Sequence, residues 1–309
     1  MTKPSKLRRP STWAAIVAGG GLYTRYYLRN VAKAPELSYQ RNEYNDEVIR
    51  QCPSLRNVYY PTPFITGPHE QTCVSLAAKG FGILPLLNFE REMLLTPDGG
   101  SIALDWLPKP GGSNDKLPPN TPIMIVLHGF TGGRGEPCIR LLLKAATDRG
   151  WRALLLNSRG CSGAPLTSSQ PYCASFTGDM HQVVGELKTR LPHAPLMAVG
   201  MSMGAVILTK YVAEADSAQG SGLVAAFSGS NPLDFADSQA KMETNFALAC
   251  YMSCLSVRMA HYFWMHFDSI IQHPKVNVTR REVLLHCFDN KWMEEKVLVP
   301  IYGFRDRQQ

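Results

Sequence analysis

Two short stretches carry residue types that could do chemistry. The first is Gly200-Met201-Ser202-Met203-Gly204, a G-x-S-x-G, with an apolar run around Val199 before it and apolar residues at helical spacing from Ala205 onward. In that setting a serine sits on a sharp strand-to-helix turn, and its hydroxyl is driven outward at the top of a sheet as a nucleophile. Gly200 and Gly204 have a steric reason. Strand and helix backbones come so close that a Cβ at either position would collide with the other element. The bland alternative is a structural Gly-Ser turn. The second stretch is His128-Gly129-Phe130-Thr131-Gly132-Gly133, directly after the apolar run 123–127. A serine esterase needs hydrogen-bond donors aimed where negative charge develops on the carbonyl oxygen. The backbone N–H of Met203, the residue after the serine, is one candidate, and that of Phe130 is the other. His128 reads as a side chain hydrogen-bonded within this loop rather than as a base. Gly132, Gly133 and Gly135 belong to no G-K-[ST] or G-x-G-x-x-G, so a phosphate-binding reading fails.

The elements that must position these residues are legible as apolar runs. Residues 123–127 (IMIVL), 153–156, the run before Ser202 and 223–228 read as strands buried on both faces. Helical stretches at 136–149, 176–191 and after Ser202 alternate with them. That alternation predicts βαβ units, hence an α/β fold with a mostly parallel sheet and helices on both faces. Residues 89–95 and 102–107 form two extended runs around Pro97-Asp98-Gly99-Gly100, a turn sequence, and read as a hairpin. Residues 35–68 mix charge, Pro and Tyr without clear period. Residues 232–297 read as a long helical stretch. Within it, 246–271 is rich in Met, aromatics and small residues, as suits either a lid over an acyl channel or helical core.

The chain has 309 residues, 45% hydrophobic and 18% charged, enough for one large α/β domain with an insertion or two small ones. Its net charge of +7 is local: seven of the 32 basic residues fall before residue 36, where there is no acid, and the remaining 25 balance the 25 acidic ones. No basic patch interleaved with aromatics follows, which argues against nucleic acid. The leader, residues 1–35, holds an apolar run at 13–23 that falls short of the roughly 20 residues needed to cross a bilayer. Interfacial anchoring through Trp13, Tyr23, Tyr26 and Tyr27 is the first reading, an Arg-rich targeting peptide the second, and a plain solvated terminus the third. The eight cysteines include no C-x-x-C and no His at zinc spacing, so neither metal nor cofactor is expected, and the thiols read as reduced.

Taken together, HGFTGG (128–133), NSRGCSGAPL (157–166), YCASFTGDM (172–180), VGMSMGAVILTKYV (199–212) and SNPLDF (230–235) resemble the α/β-hydrolases of AB hydrolase family 4. YYPTPF (59–64) and HEQT (69–72) add to the likeness. The resemblance implies an esterase or lipase acting on acylglycerols, phospholipids or medium-chain esters, an N-terminal membrane anchor, and a helical cap after the sixth strand. Carried onto matched positions, it makes Ser202 the nucleophile and Phe130 and Met203 the oxyanion donors. The corresponding division is a leader (1–35), a hydrolase core (36–231) and a cap (232–309). One departure matters. In this fold the triad acid and histidine follow the serine on loops after later strands. Here YGFRD (302–306) resembles the cap, so the last two strands, and the acid and base with them, are expected to be missing. Asp306 is a weak candidate for the acid. His261, His266, His273 and His286 lie in the helical insertion, and His181 and His193 flank the helix before the elbow strand. The expectation is a membrane-associated, cytosol-facing serine ester hydrolase acting on a lipid or ester, with mitochondrion or cytoplasm as other locations. The alternative is a lipid-binding pseudoenzyme or inactive fragment.

Overall fold

The computed structural model describes residues 12–78, 86–215 and 220–306. The chain divides into two compact units, Met1–Phe81 and Gly82–Gln309. The basic residues Lys3, Lys6, Arg8 and Arg9 lie outside the described residues.

The first unit holds α1 (Thr12–Tyr26), α2 (Glu43–Gln51) and α3 (Pro68–Ala78). Helix α1 extends the apolar run by a turn, and its apolar side chains stand open: Trp13 is 77% exposed, Val17 72% and Leu22 70%. No helix among the described residues is long and apolar enough to cross a membrane. Helix α2 lies inside the stretch that shows no period. Its start is set by Asn42, whose side chain accepts from the Asn45 N–H at 2.8 Å, with Glu43 and Asp46 in the first turn. Tyr23 stacks on Phe64, ring centroids 4.7 Å apart, and its hydroxyl accepts from the Phe64 N–H.

The second unit is built on a six-stranded sheet of β1 (Glu90–Leu95), β2 (Ser101–Leu107), β3 (Ile123–Leu127), β4 (Arg152–Asn157), β5 (Leu196–Met201) and β6 (Ala225–Gly229), in the order β1-β2-β4-β3-β5-β6. The first two form the expected hairpin, with Leu95 opposite Ser101 and Gly99 at a φ of 78° in the turn. β2 meets β4 antiparallel, and β4, β3, β5 and β6 run parallel. All five residues of β3 are buried, because helices cover both faces. Each such side chain contributes roughly 1.5–3 kcal/mol on burial.

Helix α4 (Pro137–Thr147) starts on a proline at a position where no N–H is needed and buries Ile139, Leu143 and Ala146, a four-then-three spacing that makes one face. Helix α5 (Gly178–Arg190) buries Met180, Val183, Val184 and Leu187 in the same way. Helix α6 (Met203–Ala213) follows the elbow. One strand departs from expectation. β6 is exposed at four of its five residues, since it is the sheet's outermost strand and nothing among the described residues pairs with its far edge.

The remainder is helical: α7 (Phe235–Thr244), α8 (Phe246–Met265), α9 (Phe267–Ile270), α10 (Arg280–Leu285), α11 (Asn290–Met293) and α12 (Val299–Tyr302). Met259, Ala260, Tyr262 and Phe263 of α8 bury against Cys161, Leu166 and Tyr172 in a core of their own, separate from the two that flank the sheet. For these residues the helical-core reading of the Met-rich stretch holds.

Candidate active site

The sheet's parallel register brings the two chemical stretches side by side. Leu127, the last residue of β3, pairs with Gly200 of β5. The chain leaves β5 through Ser202 and enters α6 at Met203. A Cβ at Gly200 would lie inside van der Waals contact of the Gly204 carbonyl, and one at Gly204 would sit 2.5 Å from the Leu127 oxygen and 2.7 Å from that of His128. Only glycine lets strand, helix and the loop after β3 converge this tightly.

Ser202 itself has φ 54° and ψ −119°, a conformation that non-glycine residues rarely adopt. Holding it costs on the order of 1–3 kcal/mol. Its N–H donates to the Gly229 carbonyl at 2.9 Å, and its carbonyl accepts from Ala205 and Val206. The side chain is exposed, and its hydroxyl has no hydrogen-bond partner among the described residues. A Cβ added to Gly129 would come 3.4 Å from the Ser202 Cβ and 3.8 Å from its Oγ, so the loop after β3 and the serine are immediate neighbours.

Two backbone amides follow directly on these neighbours, that of Met203 on Ser202 and that of Phe130 on Gly129. Met203 is the first residue of α6, where helix N–H groups lack intrahelical acceptors and the helix end is positive. Phe130 is the second residue of a turn closed by the Gly132 N–H donating to the Gly129 carbonyl at 3.0 Å. Neither the Phe130 nor the Met203 N–H finds an acceptor among the described residues.

His128 is 1% exposed and occupied at both nitrogens. Nδ1 donates to the Gly129 carbonyl at 2.6 Å and Nε2 accepts from the Ser158 N–H at 3.0 Å, so the ring is neutral and bolts the loop after β3 to the loop after β4. Burial pushes its pKa down, and the bond to Gly129 opposes this only in part. Its stabilising contribution is therefore complete above the unfolded value of about 6.5 and is lost as the pH falls through the lower folded value. Between pH 8 and 5, Tm of the wild type is expected to fall more steeply than that of His128→Gln; parallel curves would contradict this.

The loop after β4 is equally built. Asn157 is buried and donates to Asp105, which in turn takes two bonds from Arg91. Arg159 reaches Asp179 and Asp98. Burial opposes ionisation of Asp98, but hydrogen bonds from Arg159, Thr96 and Ser168 outweigh it and hold its pKa far below the usual carboxylate range.

Helix α8 crosses these loops with one polar stripe. Arg258, Tyr262 and His266, the last just past the helix end, recur every four residues. They bond respectively to Thr131, the Arg159 carbonyl (2.8 Å) and the Gly160 carbonyl (2.9 Å). His266 is thus tied to backbone. His273 accepts from the Lys275 N–H, His181 faces Glu214, His286 faces Asp289, and Asp306 pairs with its neighbour Arg305. His261 and His193 are exposed. No histidine among the described residues is hydrogen-bonded to Ser202. No group of metal ligands is found among the described residues either.

A strand-to-helix turn carrying an exposed serine, on a sheet of this order, defines the α/β-hydrolase fold, and the chain has that fold. The alpha/beta hydrolase fold family matches residues 122–245. Among curated relatives, an embryogenesis-associated protein EMB8 from Picea glauca is 37% identical over 172 residues, 54% of this chain and 37% of that one. A phospholipase ABHD3 from Bos taurus is 30% identical over 192 residues, 62% of this chain and 46% of that one. A monoacylglycerol lipase from Saccharomyces cerevisiae is 25% identical over 190 residues, 61% of this chain and 42% of that one. The chain spans less than half the length of these relatives.

Proposed function

We propose that this chain is a serine ester hydrolase acting on acyl lipids, with Ser202 as its nucleophile, of the kind gathered in AB hydrolase family 4. The observation that carries the reading is an exposed hydroxyl on a strained elbow, beside two amides, none of the three with a hydrogen-bond partner among the described residues. Ser202 Oγ attacks the acyl carbonyl carbon and passes its proton to solvent water, which returns one to the departing alkoxide. The charge on the carbonyl oxygen is received by the N–H groups of Phe130 and Met203, the alcohol leaves with a proton, and water releases the acyl group from the serine. Relatives named phospholipase, monoacylglycerol lipase and esterase support acyl lipids as the substrate class.

A second reading, a lipid-binding protein without turnover, is favoured by the lack of a histidine bonded to Ser202 among the described residues. A serine without a base is a weak nucleophile. A fluorophosphonate probe separates the two. Labelling that disappears in Ser202→Ala supports the hydrolase, while no labelling with retained lipid binding supports the second reading.

The proposal includes a lipid surface as the place of work, reached through α1 with its exposed Trp13, Ile16, Val17 and Leu22, on a membrane facing the cytosol. Aromatic and aliphatic side chains of this kind partition to headgroup depth, and nearby arginines favour anionic lipid. Trp13→Ser with Val17→Ser is expected to weaken binding to phosphatidylcholine–phosphatidylserine vesicles by about tenfold or more. Unchanged co-sedimentation would remove α1 from the account.

A further inference from the structure

We propose that Arg258 of α8 is a positioning residue for the oxyanion hole: by clamping Thr131 it holds the Phe130 N–H on its target, an inference that rests on the serine-hydrolase reading above. The turn from Gly129 to Gly132 has Phe130 and Thr131 at its centre, and Thr131 sits at φ 48°. That position ordinarily takes glycine or asparagine, and a β-branched residue there is an outlier. Such a conformation persists only where surrounding contacts over-determine it.

Here every polar group of Thr131 is held by a side chain. Its N–H donates to the Tyr172 hydroxyl at 3.0 Å. Its Oγ1 accepts from Arg258 Nε at 2.7 Å, and its carbonyl accepts from Arg258 Nη2 at 3.1 Å. The planar guanidinium thus spans two oxygens of one residue, which a single ammonium cannot do. Tyr172 is buried, with its ring edge-on to Phe130 (centroids 6.2 Å) and to Tyr262 of α8 (5.0 Å), so the second arm of the clamp is seated by the same helix. Arg258 is also the lone arginine or lysine in the twenty residues of α8. Its two bonds are therefore where that helix places its charge.

Releasing the clamp lets Thr131 relax to negative φ and the turn change type. The Phe130 N–H, one residue earlier in the same turn, then loses its fixed direction. Arg258 touches neither serine nor substrate in this scheme; it acts through the turn.

The test follows the rate at which a fluorophosphonate labels the full chain. Ser202 Oγ displaces fluoride at phosphorus, and the serine proton passes to solvent. Turnover of p-nitrophenyl butyrate is followed alongside. Removing one oxyanion donor outright costs about 10²–10³ in kcat, so a donor that is present but loosened sets the expectation. Arg258→Met is expected to slow labelling and lower kcat by about 10–100-fold, with KM changed less than about twofold. Arg258→Lys recovers part of the loss. In a Thr131→Gly background, where positive φ carries no strain, Arg258→Met is expected to cost less than about threefold. Should Arg258→Met lower Tm, the comparison of Arg258→Lys in the wild-type and Thr131→Gly backgrounds replaces it. Labelling of Arg258→Met at the wild-type rate, or an equal loss in the Thr131→Gly background, overturns the positioning role while leaving Ser202 intact. A wild-type chain that fails to label overturns the serine reading, and this inference with it.

Discussion

Replacing Ser202 by alanine is expected to abolish fluorophosphonate labelling and to bring short-chain ester turnover down to the residual level that oxyanion donors and binding alone support. What survives is the residual contribution of the two amides and of substrate binding. The structure adds a signature that separates lost chemistry from lost folding. Because Ser202 holds a φ of 54°, alanine there keeps the backbone strain and glycine relieves it. Ser202→Gly should therefore be at least as stable as wild type and equally unreactive. A Ser202→Ala protein that still labels at the wild-type rate would place the reactive hydroxyl elsewhere and end the case for this elbow. So would mass spectrometry that locates the phosphonate on another residue.

The second large effect is on stability. Arg159→Ala is expected to destabilise the second unit by about 3–5 kcal/mol, a fall in Tm of roughly 10 °C. The Arg159 side chain is 3% exposed and spans three segments at once. Nε and Nη2 bond to Asp179 in the first turn of α5, Nη1 bonds to Asp98 at the tip of the β1–β2 hairpin, and the guanidinium lies 5.6 Å from the Phe176 ring centre. Truncation leaves the Asp179 carboxylate, 13% exposed, without its cation, and that uncompensated and largely desolvated charge is the larger part of the expected penalty. Lysine in its place can reach one acid but not both with the same planar geometry. Arg159→Lys should recover less than half of the lost stability. An Arg159→Ala protein that melts within about 2 °C of wild type would show that water reaches these acids and that the network carries little.

Much of the second unit is legible from its residues because the signals are local and redundant. β3 is five consecutive apolar residues, and the Pro-Asp-Gly-Gly turn specifies the hairpin. Gly200 and Gly204 are required by contacts that their spacing already implies. The exposure of β6 was not legible, since LVAAFS is as apolar as a central strand and its environment is set by which strands lie beyond it. Helix α2 was hidden by its polar composition, though Asn42 followed by Glu43 and Asp46 is a helix start in its own right. In the site, the strand-to-helix turn at Ser202 and the glycine loop beside it after β3 could be placed from motif and spacing. The clamp could not, because Thr131, Tyr172 and Arg258 are separated by up to 127 positions. One clue was present at position 258: the lone arginine or lysine of a helix rich in apolar residues must find a partner or remain in water.

The open side of β6 bears on how the molecule behaves in company. Val224 and Phe227 are 68% and 59% exposed, beside a row of main-chain donors and acceptors that no described segment satisfies. Such a margin is a template for another extended chain, and few charged side chains stand on it to discourage one. In concentrated solution this rim is expected to favour association of copies, which light scattering followed against protein concentration would reveal.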